Sequence, residues 1–219
     1  MIPEKCSFEL PTEKDPNVEL SPFSPQNREV DVDVYKWNTN KVFFVIVGKW
    51  GTTEWYKNKY VTIASSITEK YWFNSFVVEN PWISWDNPEL FFDCAMWFIY
   101  EKMKEFWYDN RESYWFWHSA WWHFLWRYAH KYPEISKILL INPVLRQNFT
   151  KFKMWLNQFE WNMTVIHWEF DVDIFFQPLL NEFENKWNIL VQKWSDHQFT
   201  QEWWLELFIS LPEKYLFND

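Results

Sequence analysis

Glycine is almost missing from this sequence. The 219 residues include only Gly48 and Gly51, where the usual frequency of roughly 7% would supply about 15. Tryptophan is correspondingly abundant, at 20 residues. The two residue types together come close to what both normally supply. Cysteine is also scarce. Cys6 and Cys94 are far apart and fit neither a metal spacing nor a disulfide framework, so reduced thiols in a cytoplasmic protein are expected. Basic residues are outnumbered, 21 Lys and Arg against 30 Asp and Glu, for a net charge of −9. That balance argues against nucleic acid as a partner, because phosphate binding needs clustered Lys and Arg. No uncharged apolar run reaches membrane-spanning length. Met1-Ile2-Pro3-Glu4-Lys5 lacks the basic and apolar regions of a signal peptide. There is no internal repeat. The length fits one domain over 1–219 with a full core.

The tryptophans stand where glycines belong. Trp72 follows a helix-like stretch ending Glu69-Lys70-Tyr71, and Trp107 follows Met103-Lys104-Glu105-Phe106. Both are positions just past a helix, where a left-handed residue, usually glycine, ends it. Trp82 follows Pro81 in a turn, and Trp194 precedes Ser195-Asp196 after a strand. The pattern points to a genetic code in which UGA specifies glycine, translated by a table that gives tryptophan. UGG codons at Trp82, Trp117 and Trp121 would refute that origin.

Strands and helices alternate along the chain. Residues 1–40 are polar and proline-bearing, with edge strands expected over Cys6–Leu10 and Arg28–Tyr35. In the latter, Val30, Val32 and Val34 alternate with Glu29, Asp31 and Asp33. Lys41–Val47 is a continuous apolar run of the kind that forms a buried parallel strand. Glu54–Lys70 reads as a helix with an apolar face of Trp55, Val61, Ile63 and Ile67. Asn74–Glu79 is the next strand. Asn87 and Pro88 open a helix to about Phe106. Further strands are expected before Ser119 and at Lys137–Ile141, Met163–Asp171 and Asn188–Gln192. Helices are expected after Ser119, after Asp171 and over Gln201–Leu211. The alternation over 41–211 implies a mostly parallel sheet covered by helices, a three-layer α/β/α architecture.

The stretch that organises this pattern is Tyr114-Trp115-Phe116-Trp117-His118-Ser119-Ala120-Trp121-Trp122-His123. With glycine for tryptophan it reads Tyr-Gly-Phe-Gly-His-Ser-Ala-Gly-Gly-His. That resembles the nucleophile elbow of the α/β-hydrolase family, a sharp strand-to-helix turn that presents a serine. Trp117 and Trp121 occupy the flanks where the motif has glycine. Other segments are similar to the family as well. Gly48-Lys49-Trp50-Gly51 partly resembles its oxyanion loop, with Val47 where a histidine is common. Pro81 to Pro88 loosely resembles its Pro-Gly-x-Gly-x-Ser loop. Trp168-Glu169-Phe170-Asp171 is similar to the turn that carries its acid. Trp194-Ser195-Asp196-His197 is similar to the turn that carries its histidine. The short connection 144–162 leaves room for a small lid at most.

The resemblance implies a Ser-His-Asp hydrolase, with Ser119, Asp171 and His197 in the family's chain order. Asp173 and Asp196 compete with Asp171 for the acid. A serine hydroxyl needs a base to take its proton and a third group to orient that base. The N–H of Ala120 and the loop residues Lys49 and Trp50 would form the oxyanion hole. The implied partner is a small-molecule acyl substrate. No cofactor is implied, no spacing suggests a metal, and the two glycines lack the Lys-Ser/Thr of a phosphate loop. His118 reads as a packing or substrate-facing residue, and His123 and His130 as structural or exposed. His167, ahead of the acid turn, reads as a satisfied near-site residue. A hydrolase-fold binding protein without catalysis, or a small peptidase, are the competing functions.

Overall fold

The computed structural model describes residues 1–10, 29–48, 51–80, 88–105, 111–119, 131–142, 162–168, 187–192 and 202–218. Its elements are β1 (Glu4–Glu9), β2 (Glu29–Tyr35), β3 (Lys41–Ile46), α1 (Trp55–Tyr71), β4 (Asn74–Val78), α2 (Pro88–Lys104), β5 (Glu112–His118), β6 (Ile135–Ile141), β7 (Asn162–Trp168), β8 (Asn188–Gln192) and α3 (Glu202–Pro212), the last running into a π-helical turn, Glu213–Phe217. The eight strands form one sheet in the order β1-β2-β4-β3-β5-β6-β7-β8. β1, β2 and β4 pair antiparallel. All pairings from β4 through β3 to β8 are parallel.

Both faces of the sheet are covered, which is why its central strands are apolar throughout. Val42, Phe44, Ile46, Trp115, Trp117, Ile138 and Leu140 face one core with Phe91, Phe92, Ala95 and Ile99 of α2. Phe43, Val45, Phe116, Leu139 and Ile141 face the other with α1 and α3. Each large side chain buried this way contributes about 1.5–3 kcal/mol.

Two expectations need correction. The core-facing stripe of α1 is Tyr60, Ile63, Ala64 and Ile67, all buried, while Val61 is only partly buried. The i, i+3, i+4, i+7 spacing centred on Tyr60 fits the stripe better than a face that includes Val61. Asp33 alternates with the buried valines of β2 but is itself buried, 1% exposed. Lys5 of β1 lies over it, its Nζ 2.8 Å from the carboxylate and 3.1 Å from Glu54.

Trp72 ends α1 in the left-handed region, at φ 63 and ψ 41, with its N–H donating to the Thr68 carbonyl at 3.0 Å. Its ring is 62% exposed, so the side chain gains little to offset about 1–2 kcal/mol of left-handed strain. Trp72→Gly is therefore expected to stabilise the protein by about 1 kcal/mol. Denaturant unfolding of the protein carrying Gly at 82, 107, 117, 121, 168 and 194, with and without Trp72→Gly, measures this, and an unchanged or lower midpoint contradicts it.

An ion-pair cluster ties β1 to its neighbours. Glu4 pairs with Lys36 and Lys102, and both lysines also reach Glu105. The hydrogen bond from Lys36 is the main reason the Glu4 carboxyl is lowered to about 2. A carboxyl depressed in the folded state stabilises above its unfolded pKa and loses that contribution as pH falls through the folded one. Hydrogen exchange on β1 should therefore quicken as pH drops from about 4.5 towards about 2, after correction for intrinsic rates. Glu4→Gln should flatten that dependence.

Candidate active site at the end of the central strands

Strands that run parallel bring their C-terminal ends to one edge of a sheet, and ligands bind along such an edge. Here β3 ends at Ile46 and leads to Gly48. β5 ends at His118 and leads to Ser119, β6 leads to Asn142, β7 ends at Trp168 and β8 at Gln192.

Ser119 has φ 71, a conformation that L-residues avoid. Its N–H donates to the Ile141 carbonyl at 2.8 Å, so the neighbouring parallel strand holds the turn in place. Strain of this kind costs on the order of 1–3 kcal/mol and persists only where surrounding structure fixes it. Ser119 is 8% exposed. Asn142, at the same level after β6, is also left-handed, at φ 47, which asparagine tolerates.

The residue before the serine points away from reaction chemistry. His118 is buried and packs edge-on against Phe208 of α3, with ring centroids 5.2 Å apart. Its Nδ1 lies 2.7 Å from the Tyr60 hydroxyl, and that hydroxyl also accepts the Gly48 N–H at 3.1 Å. Burial pushes the Tyr60 phenol well above the ordinary tyrosine range, while the Gly48 N–H opposes the shift. The hydroxyl therefore stays protonated. Lys59 is also buried, with Nζ 4.5 Å from the Phe208 ring centre and 5.1 Å from that of Tyr60.

The segment after β3 is held from a second side. The Gly51 N–H donates to the Gly48 carbonyl at 2.9 Å, and the Asn80 N–H donates to the Gly51 carbonyl at 3.1 Å. Asn80 Nδ2 donates to the Val47 carbonyl at 3.1 Å. A side chain does not fit at Gly51 and is tight at Gly48. A Cβ at Gly51 would lie 2.9 Å from the Gly48 carbonyl oxygen, and one at Gly48 would lie 3.2 Å from His118 Nδ1.

Trp117 differs from expectation. A flank of the elbow filled by tryptophan is expected to be crowded or pushed outward. Instead Trp117 is 2% exposed and packs in the α2-side core, 5.5 Å from the Phe92 ring centre and parallel to Trp115. Strand alternation puts residues 115 and 117 on one face, where α2 leaves room for both rings. Trp115 Nε1 donates to Ser113 Oγ at 3.2 Å, whereas Trp117 Nε1 is buried with no hydrogen-bond partner among the described residues.

Of the other expected site residues, Lys49, Trp50, Ala120, Asp171, Asp173, Asp196 and His197 lie outside the described residues, as do Trp82, Trp107, Trp121, Trp194, His123 and His130. His167 is described and buried near the end of β7. Tyr60 and Asn80 were not legible as site residues. Tyr60 sits in the polar run Lys57-Asn58-Lys59 with no motif around it. Asn80 had one available signal, a polar residue between an apolar strand and a proline.

No family model matches the chain, and no curated protein matches it by sequence. Solved structures do match. A dienelactone hydrolase from Anabaena variabilis superposes at TM-score 0.62 and 10% identity, covering 99% of this chain and 98% of that one. The esterase domain of a Rhodothermus marinus protein gives 0.60 and 10%, covering 99% and 100%. Mouse alpha/beta hydrolase domain-containing protein 10 gives 0.52 and 10%, covering 86% and 94%. At such identities the likeness concerns the fold. The chain has the α/β-hydrolase fold, a mostly parallel eight-stranded sheet between helices. No helix among the described residues is long and apolar enough to cross a membrane.

Proposed function

We propose that this protein is a serine hydrolase that cleaves a carboxylic ester, thioester or related acyl bond through an acyl-enzyme. One observation carries the reading: Ser119 stands in a left-handed turn at the C-terminal end of a central parallel strand, pinned by the next strand. An ordinary helix-start serine needs no positive φ, whereas a nucleophile presented on a strained turn does. Two of the structural relatives are by name a dienelactone hydrolase and an esterase domain, which fits the same chemistry.

In this reading Ser119 Oγ attacks the acyl carbon and its proton passes to His197. Asp171 holds the imidazole in the right tautomer. The Ala120 N–H and the loop at Lys49 and Trp50 stabilise the oxyanion. The tetrahedral intermediate expels the alcohol or thiol, which takes the proton from His197. Water then attacks the acyl-enzyme, giving its proton to His197, and the acid leaves as Ser119 Oγ recovers it. The free thiols Cys6 and Cys94 suit a reducing, cytoplasmic setting.

The same reading extends to the tryptophans. We infer that most of them are glycines in the biological protein, as the left-handed backbone of Trp72 supports. Seven of the 20, at 72, 82, 107, 117, 121, 168 and 194, stand at the elbow and the expected turns, and the glycine form, with Gly at these seven, is the form in which activity is expected. Incubation of that form with a fluorophosphonate should modify Ser119 alone, read by peptide mass spectrometry. A folded glycine form that neither labels nor hydrolyses any of a panel of acyl esters would favour a non-catalytic binding protein.

A further inference from the structure

The Tyr60 hydroxyl lies where α1, the segment after β3 and the end of β5 meet. It accepts the Gly48 N–H at 3.1 Å and lies 2.7 Å from His118 Nδ1. A phenol that has accepted one N–H still holds its own O–H to give. His118 Nδ1 is its second partner, and the direction of that bond follows the imidazole tautomer. The junction is tight enough that a Cβ at residue 48 would lie 3.3 Å from the Tyr60 hydroxyl. Asn80 grips the same segment from the β4 side through the carbonyls of Val47 and Gly51. Tyr60 and Asn80 are both 0% exposed.

We propose that Tyr60 and Asn80 are positioning residues that brace Val47, Gly48 and Gly51 against the strand presenting Ser119. The brace fixes the spacing between the two sides of the oxyanion hole. Its catalytic consequence rests on the hydrolase reading above, whereas the brace itself does not. The case for a function beyond packing is where the bonds end. Phenylalanine would fill the same space against Phe208, whose ring packs edge-on to Tyr60 at 5.9 Å. The hydroxyl adds only two bonds, one to the backbone of the candidate oxyanion segment and one to the residue before the nucleophile. Oxyanion donors act only when held in place before the reaction, with tolerances of about 0.5 Å.

Tyr60→Phe tests this in the full-length chain, in the glycine form. On a short acyl ester, kcat should fall about 10- to 100-fold with KM changed less than about twofold, the pattern of a contact that acts in the transition state. Amide exchange at Gly48 should quicken at least roughly tenfold through loss of local protection. Asn80→Ala should quicken exchange at the same segment, so the test does not depend on one substitution. His118→Asn, which keeps a hydrogen-bonding group near the Nδ1 position, should retain more kcat than His118→Leu. Unchanged Gly48 exchange in Tyr60→Phe overturns the brace. A lower melting temperature with unchanged kcat per folded molecule reduces both residues to packing and overturns their positioning role. If the glycine form without Tyr60→Phe neither labels at Ser119 nor turns over, the hydrolase reading fails, and Gly48 exchange still decides the brace.

Discussion

Ser119→Ala, made in the glycine form, will abolish acyl turnover and fluorophosphonate labelling while leaving the fold in place. The expected loss is large, up to about 10⁶-fold in kcat, because the members of a nucleophile–base–acid set act as a unit. The fold should survive because Ser119 holds its place through its backbone N–H to Ile141, which alanine keeps. Ser119→Gly makes a sharper control. It should be equally inactive yet more stable than the alanine variant by about 1 kcal/mol, since φ 71 strains any residue with a Cβ. His197→Ala should match Ser119→Ala, and near-normal turnover would remove His197 from the mechanism. Asp171→Asn should cost about 10⁴-fold through the wrong imidazole tautomer. If Asp196→Asn or Asp173→Asn does more damage, the acid is that residue instead.

The chain as written should show no cooperative melting transition and no esterase turnover, whereas the glycine form should show both. The structure relocates the cost. Trp117 is not crowded out, because Phe92 and Trp115 accept its ring. Its buried Nε1 lacks a partner among the described residues, a loss of about 1–3 kcal/mol. Trp72 adds about 1–2 kcal/mol of left-handed strain. Trp82, Trp107, Trp121 and Trp194 stand at sequence positions of the same kind. A few such costs rival the 5–15 kcal/mol that holds a domain together. Trp115 is the contrasting case. Its ring packs edge-on against Phe44 and Phe92 and its Nε1 has a partner, so it stays in the glycine form. Cooperative melting with turnover in the chain as written would refute both the expectation and the substituted-glycine argument.

Apolar runs made the strands legible. Lys41–Ile46 and Ile135–Ile141 are buried on both faces, so nearly every position is apolar and the strand declares itself. The turn at Ser119 was legible because a motif marks the end of β5, and Ser119 there is left-handed. Strand order was not legible, since nothing local says that β2 pairs with β4 rather than β3. Asp33 was misplaced for a similar reason. Alternation assigns it to solvent, but Lys5, remote in sequence, covers it. Tyr60 escaped because its role depends on Gly48 and His118, each brought to it by a different strand. Contacts across elements leave no periodicity to read.

β1 has a consequence for how the molecule meets its own copies. Among the described residues it is the outermost strand, with no neighbour on one side of its backbone. A bare edge invites a second chain to add a strand, and charged residues discourage this. β1 reads Glu-Lys-Cys-Ser-Phe-Glu, with Glu4, Lys5 and Glu9 exposed. The strand it covers, β2, buries Val30, Val32 and Val34 under one face and has the alternation that pairs readily with another strand. β1 thus acts as a gatekeeper, closing the edge at β2 with a charged strand that other copies have little reason to join.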